Sequence, residues 1–165
     1  MNKLSLEVLK ELEICEDVLT FFEENFGSET EYTVTELIEK AKSLEVSIPA
    51  EYISQLISDC KFCQTGKMLS YYKTLNPDYE SVSWLIEECE FCQTKEMLDY
   101  FKSLKPYFGD VSWLIKWCEF CQTEEMLNYY KSLNPDYESV SWLIEGCEFC
   151  QTEEMLKYGA SLKKD

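Results

Sequence analysis

The chain has 165 residues, 45% of them hydrophobic, and sets 32 acidic residues against 15 lysines with no arginine and no histidine, for a net charge of −17. That apolar content is enough for a folded core and argues against disorder. A field of this sign and size repels DNA, RNA and anionic lipid, which excludes direct nucleic-acid binding as the leading reading and favours basic proteins as partners.

The N-terminal stretch MNKLSLEVLKELEICEDVL interrupts its apolar pattern with glutamates, unlike a signal peptide. No window approaches the roughly 18 apolar residues of a membrane span, so no membrane role is expected. Nine cysteines would suit a secreted disulfide scaffold, but eight are copies of two repeated positions and Cys15 is left over. A cytoplasmic chain with reduced thiols is the simpler expectation.

Residues 1–52 form an acidic helical cap holding 13 acids and 4 lysines. Leu4, Leu6, Val8, Leu9, Leu12 and Cys15 recur at helical spacing, and Val18, Leu19, Phe21, Phe22 and Phe26 continue the pattern until Gly27, placed as a C-cap. Thr33 and Glu36 have capping-box spacing and open a helix through about Lys42. Ser47-Ile-Pro-Ala opens the next, with proline tolerated in a first turn. Cys15, Val18, Phe21, Phe22 and Phe26 give this region a Cys–x–x–Leu/Val–x–Phe–Phe pattern. It resembles helical segments of uncharacterised bacterial and phage proteins, a likeness that covers under a third of the chain and implies no activity.

From residue 53 to 165 the sequence repeats. The tetrad Cys–x–Phe–Cys followed by Gln–Thr occurs at Cys60–Cys63, Cys89–Cys92, Cys118–Cys121 and Cys147–Cys150, each copy 29 residues after the last. Equal spacing without insertion means one supersecondary unit stacked four times, as in a helical-hairpin α-solenoid. The first helix of the second unit is expected from Val82 to about Cys92. Ser81, Asp110 and Ser139 stand at one phase as its N-caps. Val82, Leu85, Cys89 and Cys92 make one stripe, with Trp84 and Phe91 on another side, so the helix reads as sandwiched between neighbours. Thr94 caps a second helix whose stripe is Met97, Leu98, Phe101 and Leu104. Asn76-Pro-Asp and Asn134-Pro-Asp end that helix, since proline cannot continue it. The period is shorter than that of tetratricopeptide or ankyrin units and carries neither signature. Gln55 replaces the tryptophan of Trp84, Trp113 and Trp142, and Gly159-Ala160 departs from the aromatic–lysine pair of the other copies. The expected fold is therefore all-α, a right-handed array of four short helix hairpins stacked as an α-solenoid behind an N-terminal helical cap.

Four Cys–x–x–Cys pairs (Cys60/Cys63, Cys89/Cys92, Cys118/Cys121, Cys147/Cys150) are candidate zinc or iron–sulfur ligands by residue type. Zinc needs four donors at about 2.3 Å, whereas packed helices stand roughly 8–10 Å apart and a translated stack points equivalent faces the same way. With no histidine to complete a site, buried apolar cysteine is the expectation, and no metal or other cofactor is implied. A thioredoxin-type redox role lacks its βαβ setting. No histidine base, glycine-rich phosphate loop or Gly–x–Ser–x–Gly motif exists, so the chain is not read as an enzyme.

Partner-binding candidates come from the ladders. Phe62/Phe91/Phe120/Phe149 reads as core. Tyr71, Tyr100, Tyr129 and Tyr158 recur at a phase that suits a recognition stripe, and Trp117 is an unrepeated aromatic where the neighbours have Asp59, Glu88 and Gly146. Glu90, Glu119 and Glu148 share one phase, Glu96, Glu125 and Glu154 a second, and Lys73, Lys102 and Lys131 a third. Solvated faces and helix-dipole pairing account for such rows at least in part; a spaced negative surface that imitates a phosphate backbone is the sharper reading. The function expected is a non-catalytic acidic binding protein that occupies the nucleic-acid-binding surface of a basic partner such as a nuclease. In charge and size the chain is similar to small acidic inhibitors encoded by phages and mobile elements, anti-CRISPR and anti-restriction proteins among them. A neutral scaffold or oligomerisation module and a metal-loaded cysteine protein are the alternatives; oligomeric state is open.

Overall fold

A computed structural model of the chain describes residues 3–163. Among them lie eleven α-helices and four three-residue 3-10 helices, with no strand beyond one isolated bridge between Leu4 and Tyr32. The protein is an all-α helical repeat whose neighbouring helices pack in series. It divides into two compact units, Met1–Phe91 and Cys92–Asp165.

In the first unit, α1 (Leu6–Glu11) and α2 (Glu16–Phe26) are separate helices. The apolar spacing of residues 4–26 reads as continuous, but Glu13 takes a left-handed φ of 54° and breaks the chain between them. A non-glycine residue adopts that region only where the backbone must turn. Ser5 caps α1 by accepting from Val8 N–H at 3.2 Å, and Gly27 ends α2 at φ 86°. α3 (Val34–Ser43) opens with the full capping box: Thr33 accepts from Glu36 N–H, and Glu36 accepts from Thr33 N–H at 2.8 Å. The backbone bond holds the Glu36 carboxyl below its usual range. α4 (Ala50–Asp59) follows Pro49; Phe21 joins α2 to α4 through an edge-on contact with Tyr52 at 5.4 Å, and Phe26 of α2 meets Tyr32 edge-on. α5 (Gly66–Thr74) completes a hairpin with α4, and α6 (Tyr79–Glu88) packs on α4.

The second unit repeats the scheme with α7 (Lys95–Ser103), α8 (Phe108–Trp117), α9 (Glu124–Ser132), α10 (Tyr137–Gly146) and α11 (Glu153–Ser161). α8 pairs with α9, α10 with α11, and α8 with α10. The second helix of every hairpin is capped as its sequence requires. Thr65, Thr94, Thr123 and Thr152 each accept at 3.2 Å from the backbone N–H of Met68, Met97, Met126 and Met155, and those methionines are buried. Val82, Leu85, Val111, Leu114, Val140 and Leu143 of the first helices close the core.

The first helices begin and end earlier than the sequence pattern suggests. α6 starts at Tyr79 and α10 at Tyr137, with Asp78 and Asp136 as N-caps accepting from Ser81 N–H at 2.7 Å and Ser139 N–H at 2.8 Å. Ser81 and Ser139 are thus the donors in the cap, not the caps. Asp follows Pro77 and Pro135, whose fixed φ delivers the chain to an extended N-cap conformation. In α8 the cap position is Tyr107, with no side-chain cap. The helices stop before the tetrad: Cys60, Cys89, Cys118 and Cys147 are extended C-cap residues, and the three residues after each form the 3-10 turn.

Candidate interaction surface

The tetrad is a connector. Cys63 N–H donates to Cys60 O at 2.8 Å, Thr65 N–H to Cys63 O at 2.8 Å, and Thr65 then caps α5. Gln64 Nε2 donates to Ile57 O at 3.1 Å, satisfying a carbonyl left open at the end of α4. Cys89 Sγ lies 3.7 Å from the same Ile57 O, and in the second unit Cys147 Sγ lies 3.8 Å from Ile115 O. Cys89 and Cys147 therefore each buttress the helix end of the repeat before their own. All eight tetrad cysteines are buried, and only Cys15 is exposed. The hydrogen bond between the Cys60 and Cys63 side chains lowers the Cys60 thiol and raises that of Cys63, where burial adds to the rise. Burial likewise raises Cys150, helped by its bond to Cys147. Cys63 and Cys150 are held as thiols, whereas ligation and nucleophilic attack need thiolates. Among the described residues no three Cys, Asp or Glu side chains converge as a metal-ligating group.

Within the second unit the tyrosine column is a seam between repeats. Tyr71 is buried, and Tyr100, Tyr129 and Tyr158 are half-buried. In the second unit the Tyr129 hydroxyl reaches Lys102 O and the Tyr158 hydroxyl reaches Lys131 O, each at a long 3.4 Å. Lys102 Nζ sits 5.7 Å from the Tyr129 ring centroid and 2.5 Å from Glu125 Oε1; Lys131 repeats the pattern with Tyr158 and Glu154. The hydrogen bond from Lys102 and its charge hold the Glu125 carboxyl below the usual range. These lysines are withdrawn from water, at 17% and 18% exposure. Tyr129, Tyr158, Glu125 and Glu154 thus serve a clasp that joins consecutive repeats.

Glu96, of the same column as Glu125 and Glu154, is exposed in the first turn of α7. Other candidates lie outside the clasp. Glu90, Glu119 and Glu148 are exposed at the first residue of their 3-10 turns. Trp117 is 55% exposed at the end of α8. It belongs to a group that single-column reasoning on the sequence misses. Trp113 and Trp142 are also exposed, not sandwiched, and their rings stack at 6.3 Å and 15°. Trp117 meets Trp113 at 5.7 Å. Lys116 Nζ lies 3.7 Å from the Trp142 ring centroid and 5.0 Å from that of Trp117, a cation held over two indoles. The signal was present as Lys116 among Ser58, Glu87 and Glu145 of the same phase, and as Gly146, where a Cβ would collide with the Lys116 ammonium. The phenylalanine column is not core either: Phe62 and Phe91 are half-buried, while Phe120 and Phe149 are exposed. The 3-10 turn rotates this position away from the helix stripe.

No helix among the described residues is long and apolar enough to cross a membrane. Comparison with protein-family models, with curated proteins and with solved structures finds no match to this chain.

Proposed function

We propose that the chain is a non-catalytic acidic repeat protein that occupies a basic, nucleic-acid-binding surface of a partner protein as an inhibitor. One observation carries this reading. Lys102 and Lys131 are paired with Glu125 and Glu154 in the clasp, while Glu119 and Glu148 stay exposed at one repeated phase, so the net charge of −17 is presented to solvent by a row of carboxylates that the clasp does not use. Such a field attracts a basic groove and competes with the polyanion that groove normally holds. The finer assignment, an anti-CRISPR or anti-defence inhibitor encoded by a phage or mobile element and acting on a nuclease, is an analogy from size and charge.

The test is competition. A basic nuclease is loaded with a labelled DNA duplex, and the chain is added at low and at high salt. Displacement that weakens with salt, and weakens further in a Glu90→Gln/Glu119→Gln/Glu148→Gln triple variant, is the expected result. Binding that ignores salt, or that leaves the DNA in place, sinks the reading. The exposed Trp113–Trp117–Trp142 group favours one alternative, a scaffold. In that case binding survives charge neutralisation and is lost in Trp117→Ala.

A further inference from the structure

Gln55 breaks the tryptophan column, and the break coincides with a groove. Repeat alignment puts Gln55, Ser58 and Asp59 of α4 where α8 has Trp113, Lys116 and Trp117, and puts Trp84 of α6 where α10 has Trp142. In the second unit this space is filled from within. Trp113 stacks on Trp142, and the Lys116 ammonium lies over the Trp142 ring, admitted by Gly146. In the first unit glutamine stands in place of the stacking ring and serine in place of the lysine. There a groove of 430 Å³ opens between α4 and α6. Its walls carry Trp84, Gln55 and three carboxylates, Glu51, Asp59 and Glu80, and no lysine. Trp84 is 41% exposed, about as much as Trp142 at 40%, so the two copies differ in the cation seated over the indole and not in how bare the ring is.

An indole face ringed by carboxylates binds cations, and the fold already demonstrates the preference where Lys116 sits over Trp142. We propose that the Trp84 groove receives a cationic side chain, arginine first, from a basic segment of the partner protein. Arginine fits better than lysine because its guanidinium is planar, stacks on an aromatic face, is weakly hydrated and pairs with carboxylates through a fork of donors. The groove is of a size that takes a whole side chain and its backbone. The Lys116–Trp142 contact is the self-filled copy of the site, and Gln55 keeps the first copy open. The inference rests on the acidic-inhibitor reading above and assigns the residues that anchor its partner.

The experiment uses the full chain and a short fluorescein-labelled peptide of alternating glycine and arginine, followed by anisotropy at low salt. Gln55→Trp restores the stacking ring of the other repeats without changing charge; Trp84→Ala removes the indole. Both sites are exposed or half-exposed, and thermal melts confirm that each variant folds. Each is expected to weaken binding roughly 2- to 30-fold, while Trp142→Ala, whose ring Lys116 already covers, leaves it within twofold. The lysine version of the peptide binds more weakly than the arginine one. Wild-type affinity in both Gln55→Trp and Trp84→Ala overturns the groove and leaves the acidic-inhibitor reading standing, provided salt still releases the peptide. An equal loss in Trp142→Ala also overturns it, because any exposed indole then suffices. If the peptide fails to bind the wild-type chain at low salt, the acidic-inhibitor reading falls and the groove with it.

Discussion

Tyr130→Phe is expected to stabilise the protein by about 1 kcal/mol. Tyr130 lies in α9 with 0% exposure, and its hydroxyl meets no hydrogen-bonding protein atom. A buried polar group left without a partner costs about 1–3 kcal/mol of desolvation. Deleting the oxygen recovers that cost, less the void it leaves. An oxygen-sized gap of about 15 Å³, at about 24 cal/mol per Å³, costs about 0.4 kcal/mol. The same column in the preceding repeat holds Phe101, also fully buried, so the site accepts a bare phenyl ring. With a urea m-value of about 1–3 kcal/mol/M, the midpoint should rise by about 0.3–1 M at unchanged m.

A second axis of the same experiment is alkaline pH. Burial raises the Tyr130 pKa above its ordinary value, with Tyr158 and Asp136 adding smaller pushes. A group whose folded pKa lies above its unfolded one contributes stability that is fully present below the unfolded pKa, near 10 for tyrosine, and is lost as pH rises toward the folded value. The wild-type chain should therefore lose midpoint stability above about pH 10 faster than Tyr130→Phe does. A variant that is destabilised by about 1 kcal/mol or more at unchanged m refutes the reasoning, because the hydroxyl then has a partner, such as an ordered water, whose bond matters.

Thiol chemistry gives a count. Cys15 is exposed and the other eight cysteines are buried, so a bulky thiol reagent should label one equivalent quickly in the native protein and the rest only on unfolding; Cys15→Ser should abolish the fast phase, and a second fast thiol would contradict the connector role of the tetrads. The clasp gives a titration. Lys102→Met should raise the Glu125 carboxyl from its lowered value toward the ordinary range, read by NMR, because the hydrogen bond and charge that lower it most are gone and only the smaller pull of Lys95 remains. A depressed carboxyl contributes stability above its unfolded pKa and loses it as pH falls through the folded one, so the Lys102→Met chain should lose less stability than wild type on acidification below about pH 5. An unmoved Glu125 titration would remove the clasp from the account.

The repeat period, the all-α class, the threonine caps and the Thr33–Glu36 box were legible because each is a local rule written in adjacent residues. The boundaries of the first helices were not. Ser81 looks like a cap, yet Asp78, placed behind Pro77, captures the helix start three residues earlier by accepting from the Ser81 N–H. A period of 3.6 carried through Cys92 likewise hides the switch to a 3-10 turn at Glu90–Cys92, and that switch moves Phe91 off the helix stripe that the sequence assigns to the core. Among the site residues, Trp117 was visible as a departure from its column. Its neighbour Lys116 was equally a departure, but its meaning depends on Gly146 in another helix, thirty positions away. Ladders read singly gave Tyr129, Glu125 and Lys102 three separate roles, where the fold joins them into one clasp.

Variation within the array is confined by the packing. The inward positions of the first helix are nearly invariant across copies, Val82/Val111/Val140 and Leu85/Leu114/Leu143, because a close-packed interior tolerates little change of volume. The positions that differ, Gln55 against three tryptophans, Lys116 against serine and glutamates, Trp117 against two acids and a glycine, all fall on the outer row of those helices. Packing imposes no such pattern there, since Gln and Trp are both tolerated at one site. What the outer row does change is the local chemistry. One unit carries an indole face covered by its own lysine, and the other an indole face left among carboxylates. A chain built only for solubility needs neither arrangement, because scattered acids suffice for that. The array therefore reads as a uniform core that presents non-uniform contacts, and the two copies of one aromatic site differ in whether a cation must come from outside.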